Sequence, residues 1–159
     1  MLAVALITFC GPSLAEVVVR DDTGATVRLP EPARRIVTLA PHLVETLFAA
    51  GAGDKLVGTV HYSNFPEAAK TISRVGSYDR FDLESVIALK PDLIIAWLSG
   101  NVPASLDKLR ALGFPVYVSQ IDRIDDVPSE IERFSALAGT SEIGNAAAKR
   151  FRERFARLQ

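Results

Sequence analysis

The chain has 159 residues, 48% of them apolar and 23% charged, with a formal net charge of −1. That length carries one domain with a sizeable core, and the composition is that of a globular protein. The balanced charge leaves no basic field for nucleic acid or an anionic membrane, the single cysteine excludes an internal disulfide and a multi-cysteine metal site, and no apolar run reaches the about 20 residues that span a bilayer.

Leu2 to Phe9 is mostly apolar, and Cys10-Gly11-Pro12-Ser13-Leu14-Ala15 follows it. Ser13 and Ala15 put small residues at the two positions a signal peptidase reads, which predicts a secretory signal over 1–15, cleaved after Ala15. No positive n-region precedes it, as when a start codon lies inside a longer signal. Cys10 as a lipoprotein acceptor is the lesser alternative, because bulky Phe9 stands where a small residue is usual. Cleavage removes the only cysteine, which suits an oxidising compartment.

Val17-Val18-Val19 and Thr26-Val27-Arg28-Leu29 flank the turn Asp21-Asp22-Thr23-Gly24 and read as a β-hairpin. Pro30 and Pro32 break the pattern, and Arg34 to Ala40 is a short core strand behind a basic lead-in. Pro41 suits a first helical turn, and Leu43, Val44, Leu47 and Phe48 follow helical spacing up to Gly51 or Gly53. Lys55 to Val60 is the next strand. His61 to Arg80 is a polar, aromatic-bearing stretch with little periodicity. A short amphipathic helix begins near Asp82 with Leu83, Val86, Ile87 and Leu89. Pro91-Asp92 then opens an apolar run, Leu93 to Trp97, read as the third sheet strand. Leu106, Leu109, Arg110 and Leu112 mark a helix closed by Gly113, Pro115 to Val118 is a fourth strand, and Val127 to Leu137 is a helix ended by Gly139. The last helix begins at Thr140 or Ser141, either of which can cap it. Ile143, Ala147, Phe151, Phe155 and Leu158 lie about one turn apart. The basic cluster around them reads as a solvated face. No stop signal precedes Gln159, so the expectation is that something follows.

Strands alternating with helices imply right-handed βαβ units: an α/β three-layer sandwich with a mainly parallel sheet and an N-terminal hairpin. Phosphate-binding glycine loops, a G-x-S-x-G elbow and H-x-x-x-H spacing are all missing. His42 and His61 sit 19 positions apart in different loops and are read as satisfied or solvated histidines. No acidic pair stands out as a general acid/base couple. Ligands of open α/β sheets bind past the carboxyl ends of the strands. There the chain carries Tyr62, Tyr78 and Trp97, aromatics with a polar handle in loops rich in Gly, Ser and Asn. Each is either ordinary packing or part of a platform for a flat hydrophobic ligand.

Several blocks resemble a known family. They are Arg35-Ile36-Val37-Thr38-Leu39-Ala40-Pro41 with Glu45, Val57-Gly58 leading into Tyr62-Ser63-Asn64-Phe65-Pro66, Val75-Gly76-Ser77-Tyr78, Leu83-Glu84-Ser85-Val86-Ile87-Ala88-Leu89-Lys90-Pro91-Asp92-Leu93-Ile94, and Ala96-Trp97. Together they resemble the N-terminal lobe of a periplasmic cobalamin-binding protein, in the cluster of ABC-importer substrate-binding proteins that also covers haem and iron-siderophore carriers. The resemblance implies two α/β lobes joined by one long helix, with the ligand in the cleft between them. It makes 16–140 the first lobe and 141–159 the start of the inter-lobe helix, the second lobe being absent.

By the same resemblance Tyr62, Tyr78 and Trp97 are cleft residues, Tyr78 standing where those carriers can have a tryptophan. Glu84 matches a carboxylate that docks onto arginines of the membrane permease. The implied protein is a non-enzymatic periplasmic carrier with cobalamin as transported ligand rather than cofactor, ABC permease subunits as partners and no nucleic acid. Haem, with Tyr62 or His61 as iron ligand, or an anionic siderophore, with Arg80 as the nearest cation, are the alternatives within the cluster. A secreted α/β enzyme or an interaction module is the alternative outside it. One lobe cannot enclose a ligand on both faces, so binding by this chain alone is expected to be weak.

Overall fold

The computed structural model describes residues 16–158; the expected signal over 1–15, with Cys10, lies outside the described residues. A two-stranded antiparallel hairpin comes first, β1 (Val17–Arg20) paired with β2 (Thr26–Leu29), as the alternation predicts. Asp21 shapes its turn, accepting the backbone N–H groups of Thr23 and Ala25 on one carboxylate oxygen. Its other oxygen accepts the Val118 N–H, which staples the hairpin to the main sheet.

That sheet has five parallel strands, β3 (Ile36–Thr38), β4 (Leu56–Thr59), β5 (Ser73–Arg74), β6 (Leu93–Trp97) and β7 (Val116–Ser119), in the order β5-β4-β3-β6-β7. Successive side chains point to opposite faces. Ile36, Leu93, Ile95 and Tyr117 meet the hairpin, α1 (Pro41–Ala49) and α4 (Asp126–Ala138). Val37, Ile94, Ala96, Val116 and Val118 meet α2 (Leu83–Ala88) and α3 (Pro103–Ala111) on the other side. Burial on both faces is why these strands read as continuous apolar runs rather than alternating ones. The three-layer α/β sandwich expected from the sequence is the fold observed.

The block Leu89-Lys90-Pro91-Asp92 has a structural job at the amino edge of the sheet. The Asp92 carboxylate accepts the backbone N–H groups of Arg34 at 2.8 Å and Arg35 at 2.9 Å, fixing the entry to β3. The Arg35 guanidinium donates to the carbonyls of Leu89 and Lys90, which the end of α2 leaves unpaired.

Four sequence expectations need correction. The stretch His61 to Arg80 is not without regular structure: it holds a 3-10 turn, Glu67–Thr71, and the edge strand β5. Two residues of strand are too few to show a period. Trp97 accordingly ends the fourth sheet strand in chain order, not the third. Neither Thr140 nor Ser141 caps α5 (Ser141–Ala156) through its side chain; the Thr140 hydroxyl instead donates to the carbonyl of Ala50 at 2.7 Å. The apolar stripe of α5 is also not its buried face. Gly144 and Ala148 are buried against α4, while Ile143 is 54% exposed and Leu158 82%. A Cβ on Gly144 would run into Ser135, so the close approach of the two helices selects small residues over large apolar ones.

Candidate functional site

The chain runs from β3 outward to β4 and β5, then returns to place β6 on the other side of β3. The carboxyl ends of β3 and β6 are therefore adjacent but lead away in opposite directions, which opens a crevice between them. Trp97 is the last residue of β6 and His42 lies in the first turn of α1, just past β3. Their rings meet edge to face, with centroids 5.2 Å apart and planes at 82°. Tyr78 meets the same indole at 5.7 Å and 56°.

Trp97 is half-buried and packs on the core beneath it. On its α4 side a hollow of about 530 Å³ is lined by His42, Glu45, Trp97, Ile121, Ile131 and Phe151 among others. A larger hollow of about 980 Å³ lies between the hairpin and α4, away from the rings. Its central cation is already committed, Arg133 pairing with Asp22 at 2.6 Å and with buried Glu130 at 2.5 Å. The aromatic crevice is the better site, because its polar groups are few and its apolar faces are partly open.

Burial holds the pKa of His42 below the usual histidine range. The ring is therefore neutral at neutral pH, so it adds apolar surface with one donor and one acceptor nitrogen rather than a charge. The sequence reading placed His42 in a loop and outside the site; it belongs to α1 and to the aromatic cluster. The available signal was its position, since it follows a strand end through Pro41 just as Trp97 closes one.

Tyr78 stands at the tip of a tight turn. Ser77 and Arg80 exchange both backbone hydrogen bonds at 3.2 Å, and Gly76 bridges Phe81 beneath them. Gly76 has φ of +112°, and a Cβ there would strike the Arg80 carbonyl. Tyr78 is 44% exposed, and Arg80, the cation considered for an anionic ligand, is exposed beside it.

Tyr62 is 82% exposed and its ring is paired with neither Tyr78 nor Trp97. Its loop is nonetheless tied to theirs, the His61 N–H donating to the Gly76 carbonyl at 2.8 Å. Tyr62 has φ of +67°, a left-handed conformation that bulky residues adopt at a cost of order 1–3 kcal/mol. The neighbouring residue supplies the restraint. Ser63 is buried, its hydroxyl 2.9 Å from that of Thr59, which accepts from the Thr38 hydroxyl at 2.9 Å, while Arg74 donates to the Ser63 carbonyl. A chain of buried hydroxyls thus holds an exposed tyrosine in a strained pose.

Two further residues behind Trp97 escaped the sequence reading. Gly100 packs against the indole, where a Cβ would fall on ring carbons Cε3 and Cζ3. The Asn101 side chain accepts the Trp97 N–H at 2.6 Å and donates to the carbonyls of Leu39 at 2.9 Å and Tyr78 at 2.6 Å. The Gly-Asn loop was visible in the sequence, but not the distant carbonyls it reaches. Glu84 is exposed in the first turn of α2, whose N-cap Asp82 accepts the Glu84 and Ser85 N–H groups. Glu84 makes no ion pair among the described residues.

Among the described residues no group of three or more His, Cys, Asp or Glu is placed to hold a metal ion, and no helix is long and apolar enough to cross a membrane. The arrangement gathers aromatic faces and a neutral imidazole at one crevice, surfaces that suit an apolar ligand.

A five-stranded parallel sheet covered on both faces, with an aromatic crevice at its switch point, is the architecture of an open α/β domain, in which ligands bind past the carboxyl ends of the strands. The family model described as periplasmic binding protein matches residues 36–158, and the chain belongs to that family. Among curated proteins it is similar to the vitamin B12-binding protein of Vibrio cholerae serotype O1, 44% identical over 137 residues, covering 86% of this chain and 50% of that protein. The vitamin B12-binding protein of Yersinia pestis is 40% identical over 121 residues, covering 76% of this chain and 43% of that protein. The chain thus spans about half the length of the curated relatives it matches. Among solved structures, the periplasmic vitamin B12 binding protein BtuF of Vibrio cholerae superposes with a TM-score of 0.76 at 46% identity, over 80% of this chain and 50% of that one. A periplasmic heme binding protein from Pseudomonas aeruginosa superposes with a TM-score of 0.72 at 28% identity, over 79% and 45%.

Proposed function

We propose that the chain is the first lobe of a periplasmic solute-binding component of an ABC importer, and that its ligand is cobalamin or a related corrinoid. The observation that carries this reading is the ring cluster of Trp97, Tyr78 and His42 at the sheet's switch point. The similarity to vitamin B12-binding proteins over most of this chain supports the choice of ligand. Trp97 and Tyr78 form the floor on which the corrin face lies, and exposed Tyr62 reaches it from the adjoining loop. Residues 16–140 form the lobe, and 141–159 begin the helix leading to a second lobe that closes over the ligand. Residues 1–15 direct export to the periplasm, and Glu84 docks the lobe on the permease.

Equilibrium dialysis of the chain against cyanocobalamin and against haem tests the ligand. Cobalamin is expected to bind, weakly for one lobe, and more tightly than haem; Trp97→Ala is expected to cost about 2 kcal/mol, roughly thirtyfold in affinity. Tighter haem binding, or an unchanged cobalamin affinity in the variant, overturns the reading. A haem reading has its own support in the haem-binding structures of like fold and in the exposed pair His61 and Tyr62. Its mark is a Soret shift that Tyr62→Phe abolishes.

A further inference from the structure

We infer that Asn101 is the positioning residue of the aromatic floor. It is 4% exposed, and its side-chain amide joins three segments far apart in sequence: the end of β3 through the Leu39 carbonyl, the end of β6 through the Trp97 N–H, and the tip of the Ser77–Arg80 turn through the Tyr78 carbonyl. Its backbone N–H also donates to the Trp97 carbonyl at 3.0 Å. No other residue type supplies this set in the same volume. The acceptor must face Trp97, and two donor hydrogens must face two carbonyls, which is the complement of a primary carboxamide.

Two of the three segments carry the rings of the floor, and the third leads directly through Ala40 and Pro41 into His42. One amide therefore sets the spacing of Trp97, Tyr78 and His42. Backbone packing alone does not do this, because the Tyr78 turn hydrogen-bonds mainly within itself and to β4 and its loop. This role deepens the reading of the rings as a ligand floor and rests on it for its function, but the positioning itself is measurable without ligand.

Trp97 is the sole tryptophan of the chain, so intrinsic fluorescence reports its surroundings alone. The test compares the emission maximum and acrylamide quenching of the native chain, Asn101→Ala, Asn101→Asp and Leu109→Ala. Asn101→Asp keeps shape and the Trp97 acceptor but turns an oxygen toward the two carbonyls. Leu109→Ala opens the core on the opposite face and controls for general loosening. Both Asn101 variants are expected to show a red-shifted, more readily quenched Trp97 while folded by circular dichroism; Leu109→Ala is expected to keep native emission. Cobalamin affinity in Asn101→Asp is expected to fall by about tenfold.

Native emission and quenching in either folded Asn101 variant overturns the inference, as does an equal shift in Leu109→Ala. Failure of both Asn101 variants to fold overturns it too, in favour of a core role. If the native chain binds no cobalamin, the proposed ligand fails while the fluorescence arm still decides on Asn101.

Discussion

Gly100 and His42 both pack against the indole of Trp97. Gly100→Ala is expected to drive the indole from its place, changing Trp97 emission and costing about 1–3 kcal/mol in urea unfolding, because the added methyl overlaps ring atoms. His42 gives the chain an acid-side dependence. Its folded pKa lies below its ordinary value, so the unfolded chain takes up the proton first. Stability that is present above about pH 6.5 is expected to be lost as pH falls through the lowered value, and His42→Phe should flatten that slope. Urea midpoints across the acid range measure both.

At the scale of elements, the two edges of the sheet carry separate jobs. Asp92 and Arg35 secure the amino edge by tying the entry of β3 to the exit of α2. Asp92→Ala is expected to cost about 1–3 kcal/mol, since two backbone N–H groups lose a charged acceptor, yet to leave cobalamin affinity unchanged. A loss of affinity would mean that the edges are coupled. On the carboxyl side, α2 presents Glu84 from its capped first turn. On the docking role proposed for Glu84, Glu84→Ala in an importer assay is expected to weaken transport without changing ligand affinity.

Across the whole molecule, one buried cluster joins the hairpin, β7 and α4. Glu130 is fully buried, accepts from the Tyr117 hydroxyl at 3.0 Å and pairs with Arg133, which also holds Asp22 of the hairpin turn. Burial outweighs the pull of Arg133 and pushes the Glu130 carboxyl above the usual carboxylate range. The folded chain therefore keeps a proton that the unfolded chain has released. This contribution to stability is full below the ordinary glutamate value and is lost as pH rises through the raised one. Glu130→Gln is expected to remove that decline, seen as a flatter urea midpoint as pH rises above the ordinary glutamate range. A slope as steep as that of the native chain would show that Glu130 is not its source.

Local pattern made much of this protein legible in its sequence. The valine-rich hairpin, the apolar runs of β3 and β6, Pro41 in a first helical turn and Gly139 at a helix end each follow from interactions within a few residues, so the α/β class, Tyr62 past one strand end and Trp97 at another were readable. The edge strand β5 was not, because two residues carry no period. Nor was the packing face of α5, which is set by the closeness of α4 rather than by hydrophobicity alone. Tertiary structure alone brought His42 to Trp97 and let Asn101 reach Leu39, 62 positions away, and Tyr78, 23 positions away. Those partners depend on strand order, with β3 and β6 side by side and β4 and β5 turned away. Strand order is settled by long-range pairing and burial on two faces at once, which a local pattern of residues does not record.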